Sequence, residues 1–156
     1  PCPCGYLGDP EIKCTCSPQS IIRYQKKISG PILDRIDLHI EVPRVKFKEL
    51  TTEKVAEASV ELRKRVQAAR DIQEQRFTGS KTLTNSEMGP KQIKKFCQIN
   101  ETGQELLRRA VEQMHLSARA YHRILKLART IADLEGNDQI VISHVAEALQ
   151  YRPKVE

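Results

Sequence analysis

Four of the five cysteines in this 156-residue chain fall within its first sixteen residues, as Cys2-Pro-Cys4 and Cys14-Thr-Cys16. Two close pairs of thiolates supply the ligand number of a tetrahedral structural zinc site, although such sites more often have at least two residues between paired ligands. The prolines and glycines of the segment allow the sharp turns that this spacing needs. Disulfides and free thiols remain open alternatives, and nothing in the sequence indicates a secreted protein. Cys97 lies alone on an apolar helical pattern and is predicted to be a core residue.

A second feature with chemical potential is the segment SGPILDRIDLHIEVP, residues 29–43, which places Asp34, Arg35 and Asp37 at the entrance to an apolar run. One interpretation is a surface turn with a local ion pair, in which the two acids position the turn. The other is that Arg35 is directed at a ligand that the chain does not itself contain. The residues alone leave both interpretations open.

A third feature is Arg119, within the segment LSARAYHRILKLARTIADLEG, residues 116–136. Ser117 is well placed to cap the predicted helix, which puts Arg119 in its first turn. The unpaired N–H groups and partial positive charge of a helix N-terminus make a cation there unfavourable, unless an anion such as phosphate faces it. A solvent-facing arginine in an ordinary helix is the competing interpretation.

The other candidates for catalysis do not form a recognisable set. The four histidines are scattered along the chain, without serine or carboxylate partners at a familiar spacing: His39, His115, His122 and His144. The string Gly79-Ser-Lys81-Thr has the wrong spacing for a phosphate-binding loop. Taken alone, the chain is therefore predicted not to be an enzyme.

The composition is that of a globular protein, with 29% charged and 39% hydrophobic residues and no tryptophan. The net charge of +6 is concentrated in residues 44–130, which suits phosphate, nucleic acid or an acidic partner, or else solvated helix faces. No apolar run reaches the roughly 18–20 residues that span a bilayer, and no leader precedes the motifs, so we expect a cytoplasmic protein. The start at Pro1, inside the cysteine pattern, indicates a fragment.

The elements that must position these residues are predicted to be mainly helical. Apolar spacing and capping residues predict six helices: 18–27, 52–76, 90–97, one beginning at a Thr102/Glu105 capping box, one capped by Ser117 and ended by Gly136, and 142–149. One strand is predicted at residues 38–42, ending at Pro43. Because a single strand is not stable, the rest of its sheet is expected to lie elsewhere.

Taken together, SGPILDRIDLHIEVP and LSARAYHRILKLARTIADLEG resemble the magnesium-chelatase-like branch of the AAA+ ATPases. The CPCGY…CTCS beginning and the HVAEALQYRP ending are similar to its competence protein ComM subgroup. The resemblance implies that residues 1–43 are the C-terminal part of an α/β ATPase core with a Cys-rich loop, 44–52 a connector and 53–153 a helical lid. It implies that Arg35 is an arginine finger acting in a neighbouring subunit and that Arg119 is the sensor-2 arginine.

The same resemblance implies a hexameric ring of identical subunits that binds ATP and Mg²⁺ and remodels DNA. A structural Zn²⁺ is a separate expectation, which comes from the two close cysteine pairs. This fragment alone is expected to be inactive, because the phosphate-binding loop is absent from it. Two alternatives are a chelatase-type ATPase that drives metal insertion into a porphyrin and a non-catalytic, zinc-stabilised oligomerisation module.

Overall fold

A computed structural model describes residues 2–33, 35–42, 45 and 57–152. Over these residues the chain forms seven α-helices and one short 3₁₀ turn at Asn85–Glu87: α1 (Pro18–Gln25), α2 (Gly30–Leu33), α3 (Ser59–Arg76), α4 (Pro90–Phe96), α5 (Glu101–Gln113), α6 (Ala118–Leu134) and α7 (Ile142–Gln150). The prediction of a mainly helical chain is confirmed.

The chain divides into two compact units. The first comprises Pro1–Ile36 and Ile40–Thr52, and the second comprises Asp37–His39 and Glu53–Glu156. The Cys-rich loop, α1 and α2 therefore belong to the first unit, and the helices from α3 onward belong to the second.

In the first unit, α1 begins as predicted. The Ser17 hydroxyl accepts a hydrogen bond from the Ser20 amide at 3.3 Å, and Pro18 occupies the first turn, where its missing N–H costs nothing. None of the predicted helices covers residues 28–33, but Gly30–Leu33 forms a short helix of its own. A proline in the first turn starts a helix as readily as it stops one, and this explains the difference.

The predicted strand at residues 38–42 is not present. These residues belong to no strand, and the one β-bridge in the described part of the chain joins Ile99 to Ile140. An extended segment becomes a strand only when a neighbouring strand pairs its N–H and C=O groups. Here the His39 amide donates instead to the Tyr151 carbonyl at 2.9 Å. Pro43, the predicted end of the strand, lies outside the described residues.

The core of the second unit is built around α6. Ile124, Ala128 and Ala132 lie on its buried side, and they pack in one apolar cluster with Leu107 of α5 and Val145 of α7. Burial of a leucine or isoleucine side chain stabilises the fold by about 1.5–3 kcal/mol, so this cluster is the main source of stability of the bundle. Cys97 belongs to the same cluster, which confirms its predicted core position, and burial raises the pKa of its thiol to about 11.

The apolar face predicted for the long helix is only partly used. The described part of this helix begins at Ser59, and residues 52–56 of the predicted helix lie outside the described residues. In α3 only Ala69 and Gln73 are buried, whereas Leu62 and Val66 of the predicted apolar stripe are 43% and 53% exposed. The helical spacing of apolar residues therefore extends along more of α3 than the core covers.

The predicted capping box of α5 is displaced by two residues. Asn100, not Thr102, is the N-cap, and its side-chain oxygen accepts from the Gly103 amide at 2.9 Å. Asn and Thr are both good caps, so local preference alone does not choose between them. Glu105, the predicted second member of the box, instead pairs with Arg108 and Arg109.

Candidate functional site

The structure brings the four cysteines of the N-terminal loop together. The Sγ atoms of Cys2 and Cys4 are 3.4 Å apart, those of Cys2 and Cys14 are 3.7 Å apart, and those of Cys4 and Cys14 are 3.6 Å apart. With Cys16 included, all four sulfur atoms lie within 4.8 Å of one another. All four are free thiols, since a disulfide requires a separation of about 2.05 Å.

Two turns produce this convergence. In the first, the Gly5 amide donates to the Cys2 carbonyl at 3.1 Å, and both Gly5 and Gly8 have φ values near the left-handed region, +83° and +84°. Glycine adopts this conformation without steric cost, whereas other residues do so at a penalty. In the second turn, the Asp9 carboxylate accepts from the amides two and three residues later, both at 2.8 Å. The chain thereby reverses, and the second cysteine pair faces the first.

The thiols of the cluster differ in acidity. The pKa of Cys4 is lowered to about 6, first because the Tyr6 backbone amide hydrogen-bonds to the sulfur and then because the Cys2 thiol does so. For Cys14, the Cys16 amide favours the thiolate, but burial and the Cys4 and Cys2 thiols outweigh it and raise the pKa to about 12. Without a cation, the cluster thus lowers the pKa values of Cys2 and Cys4 and raises those of Cys14 and Cys16. A coordinated metal ion would instead stabilise every ligand as a thiolate.

Arg35 lies just after α2 with its side chain exposed. Its backbone amide donates to the Ile32 carbonyl at 2.9 Å, and Nη1 donates to the Pro31 carbonyl at 3.1 Å. Carbonyl groups of the last helical turn attract a cation, so the contact holds one terminal nitrogen of the guanidinium against α2. The expected exposure is observed, but the side chain also has this local role.

Arg119 lies in the first turn of α6, exposed, next to a cap of the predicted type. The Ser117 hydroxyl accepts from the Ala120 amide at 3.1 Å, which confirms the predicted cap. Within the described residues, the Arg119 side chain makes no hydrogen bond or ion pair. The helix N-terminus does not favour a cation, and no acidic side chain of the described part of the bundle compensates.

The interpretation of Asp37 as a local partner of the turn is wrong. Its carboxylate accepts from Nη1 of Arg123 on α6 at 2.6 Å, across 86 positions of the sequence. Arg123 and Arg119 are four residues apart, so they lie on the same side of α6. Asp34, the other acid of the segment, lies outside the described residues.

Comparisons with known proteins identify the family. The family described as magnesium chelatase, subunit ChlI C-terminal, matches residues 56–152, which is more than half of the chain. The chain belongs to the magnesium chelatase ChlI family. A second description of this family, magnesium chelatase, subunit ChlI, matches residues 1–50.

Curated relatives extend the similarity over nearly the whole chain. Competence protein ComM of Haemophilus influenzae is 45% identical over 140 residues, which is 89% of this chain and 27% of the relative. The uncharacterized YifB proteins of Salmonella typhimurium and Escherichia coli are 37% and 35% identical over 153 residues, which is 97% of this chain and 29% of each relative. The chain thus spans less than a third of the length of these relatives.

Membership in the ChlI family makes this an AAA+ ATPase-related chain, and its mainly helical fold is consistent with the helical lid of an AAA+ protein. Proteins of the family are typically oligomeric, and the family suggests ATP and Mg²⁺ as ligands. Within the described residues, no helix combines the length and the apolar character needed to cross a membrane.

The ChlI-type bundle also contains a buried charge network that the sequence analysis missed. The carboxylate of Asp133 is fully buried and accepts from Nη1 of Arg76 at 2.6 Å, from Nε of Arg129 at 3.0 Å and from the side-chain amide of Asn85 at 2.7 Å. Arg129 donates further to the Asp138 carbonyl at 2.6 Å. The network joins α3, the Asn85–Glu87 turn and α6. The four-residue spacing of Arg129 and Asp133 between apolar positions was the available signal.

A wide groove of about 1070 Å³ lies on the second unit along α4, α5 and α6. Its lining includes the apolar side chains of Leu107 and Leu125 and the charged side chains of Glu105 and Arg108. Arg119 is not among its lining residues, although Tyr121 and His122 of the same helix are.

Proposed function

We propose that this chain supplies the arginine finger and the sensor-2 arginine of an AAA+ ATPase motor that remodels DNA. The observation that carries the proposal is the exposed Arg35 of the LDRID segment, in a chain of the magnesium chelatase ChlI family. Since the chain spans less than a third of its relatives, the activity belongs to the longer protein of which it would be a part.

Arg35 is proposed to enter the ATP site of a neighbouring subunit. Phosphoryl transfer places charge on the oxygens of the γ-phosphate, and an arginine supplied in trans accelerates it by about 10³–10⁵. The Pro31 carbonyl accepts from Nη1, a terminal nitrogen of the guanidinium, and phosphate oxygens would replace this carbonyl as the acceptor in a neighbouring ATP site. Lysine would be a poor replacement, since it lacks the planar fork that engages phosphate with two donors.

Arg119 is proposed to contact the ATP phosphates from the lid. Its place in the first turn of α6, without an acidic partner among the described residues, supports an anion as its natural counterpart. One turn further along the same helix, Arg123 does have an acidic partner, Asp37 of the same unit. Loss of the γ-phosphate contact would then change the lid angle, so that hydrolysis causes motion in a hexameric ring.

DNA is proposed as the substrate of the motor. The basic excess of residues 44–130 supports this choice, and so does the competence protein among the relatives. On α3 the exposed cations Arg63 and Arg70 offer a surface for phosphate, whereas the neighbouring Lys64 and Arg65 pair with acidic side chains.

Two alternatives compete with the DNA motor. The family description favours a chelatase-type ATPase that drives metal insertion into a porphyrin. A non-catalytic oligomerisation module stabilised by zinc is the other, and size-exclusion chromatography of the chain would test it. ATPase measurements on the longer protein separate the two motors, since stimulation by branched DNA supports the DNA motor and its absence supports the chelatase type.

The decisive test of the finger is Arg35→Ala in the longer protein. We expect ATP turnover to fall by about 10³ or more while ATP binding is retained. Arg35→Lys should fail as well. Arg23→Ala, which removes another exposed arginine of the same unit, should leave turnover unchanged.

A mixing experiment tests whether the finger acts in trans. Arg35→Ala subunits would be mixed with subunits that carry an inactivated phosphate-binding loop. Each population is inactive alone, but mixed rings should recover part of the activity, because an intact ATP site then faces an intact finger. Near wild-type turnover of Arg35→Ala, or no recovery on mixing, would contradict the assignment.

A further inference from the structure

We propose that Cys2, Cys4, Cys14 and Cys16 bind one Zn²⁺ ion as four thiolate ligands, and that this ion maintains the fold of the N-terminal loop. The proposal is independent of the ATPase role, since it concerns a structural metal site and not the chemistry of Arg35 or Arg119.

The separations of the sulfur atoms carry the proposal. A tetrahedral zinc site with Zn–S bonds of about 2.3 Å places its ligand sulfurs about 3.8 Å apart. The three measured distances among Cys2, Cys4 and Cys14 are 3.4, 3.7 and 3.6 Å, and Cys16 lies within 4.8 Å of each of the others. Three near-equal distances, with the fourth sulfur close to all three, match one central ion. Disulfides would instead draw the thiols into two bonded pairs.

The rest of the loop supplies little else to hold it together. Among residues 2–16, which the structure describes completely, Cys2 is the one buried residue, with 2% of its surface exposed. Segments too small to form an apolar core are usually stabilised by a disulfide or a metal. The two turns, one at Gly5 and one at Asp9, aim the cysteine pairs at a common point and not at separate partners.

The geometry also favours zinc over the other metals that bind thiolates. Four thiolates in a tetrahedral arrangement are typical of zinc or of iron–sulfur sites. A cluster of several irons would hold its cysteine sulfurs further apart, because inorganic iron and sulfide atoms lie between them. A single iron fits the same cage, but unlike zinc it is coloured.

Elemental analysis of the tag-free 156-residue chain, purified without chelators, tests the proposal. We expect one zinc per chain, with X-ray absorption showing sulfur neighbours at about 2.3 Å. In Cys14→Ser the zinc content should fall to background. Cys97→Ala is the matched control, because it removes a cysteine from the core of the second unit and should leave zinc unchanged.

A second measurement does not depend on the folding of any variant. The wild-type chain is stripped of metal under reducing conditions and titrated with Co²⁺, and we expect the visible absorption of tetrahedral tetrathiolate cobalt at one equivalent. The proposal is overturned if the chain binds neither zinc nor cobalt, if thiol counting finds two disulfides, if Cys14→Ser retains its zinc, or if iron or copper is the bound metal. None of these outcomes bears on the Arg35→Ala experiment, so the two proposals fail separately.

Discussion

The Cys-rich loop and the helical bundle of this chain are held together by different means. Residues 2–16 contain two polar turns and four converging thiols, with Cys2 as the one buried residue. The bundle from α3 to α7 has a continuous apolar cluster around α6 and a buried network centred on Asp133. The loop therefore depends on one local cluster, whereas the bundle depends on many contacts between residues that are distant in sequence.

This difference predicts different responses to damage. Each buried aliphatic side chain of the bundle contributes about 1.5–3 kcal/mol, so single core deletions reduce its stability in steps. A structural zinc ion contributes about 10–16 kcal/mol in zinc-finger peptides, and its loss unfolds the segment that it holds. The loop should accordingly lose its fold in one step when the metal is lost. The stability of the bundle should instead fall gradually as single core side chains are removed.

The largest effect within the bundle is expected for Asp133→Asn. The substitution leaves the guanidinium groups of Arg76 and Arg129, with side chains 11% and 4% exposed, without their anionic partner. Breaking a buried pair in this way costs about 3–5 kcal/mol, which denaturant unfolding monitored by circular dichroism would measure. Asp71→Asn, at an exposed carboxylate of α3, is the control with little expected effect.

The same variant tests whether the two regions are independent. The zinc-to-chain ratio of Asp133→Asn should equal that of the wild type under native conditions. If Asp133→Asn loses less than about 1 kcal/mol of stability, its ion pairs contribute no more than ordinary surface pairs do. If the variant also loses zinc, the loop and the bundle are not independent of each other.

A smaller effect is expected at the start of α5. Asn100→Ala removes the acceptor of the Gly103 amide and should reduce the free energy of unfolding by about 1 kcal/mol. Thr102→Ala is the matched comparison, since the sequence pattern predicts a cap at Thr102 and the structure has it at Asn100. If Thr102→Ala is the more damaging of the two, the observed cap position is wrong.

The smallest effect is expected at Glu105, on the surface of α5. Hydrogen bonds from Arg108 and then Arg109 lower the pKa of Glu105 to about 2 from its ordinary value of 4.5. A lowered folded-state pKa means that the contribution to stability is complete above pH 4.5 and is lost as the pH falls towards 2. The exposure of these side chains keeps the contribution small.

Unfolding curves of the wild type and Glu105→Gln across this range would measure the effect. The difference in stability should be present at neutral pH and disappear in acid. A difference that grows as the pH falls would reverse the assigned sign.

Predictions from the sequence succeeded where the cause was local. Ser17 and Ser117 cap their helices because a hydroxyl needs only the amide three residues later. The start of α7 at Ile142 and the core position of Cys97 followed from apolar spacing within single helices. The prediction at Asn100 failed by two residues because two good caps stood close together, and only packing selected one of them.

Predictions failed where a distant partner decided the outcome. The segment at 38–42 has the alternation of a strand, but strand formation also requires neighbouring strands, and the described residues offer none. Asp37 was interpreted as part of a local turn, but its carboxylate pairs with Arg123. The apolar stripe of α3 is helical, as predicted, yet the core covers only Ala69 and its neighbourhood.

The sequence by itself determined the helical character of the chain, the clustering of cysteines in one short loop and the motifs that carry Arg35 and Arg119. These features depend on residue type and on spacings of a few positions, so interactions between residues close in sequence are enough to produce them. Only the tertiary structure decided that the four sulfur atoms meet within 4.8 Å and that Asp133 is buried between two arginines. The physical reason is that coordination and charge burial depend on distances in space, which are set when separate segments of the chain pack together.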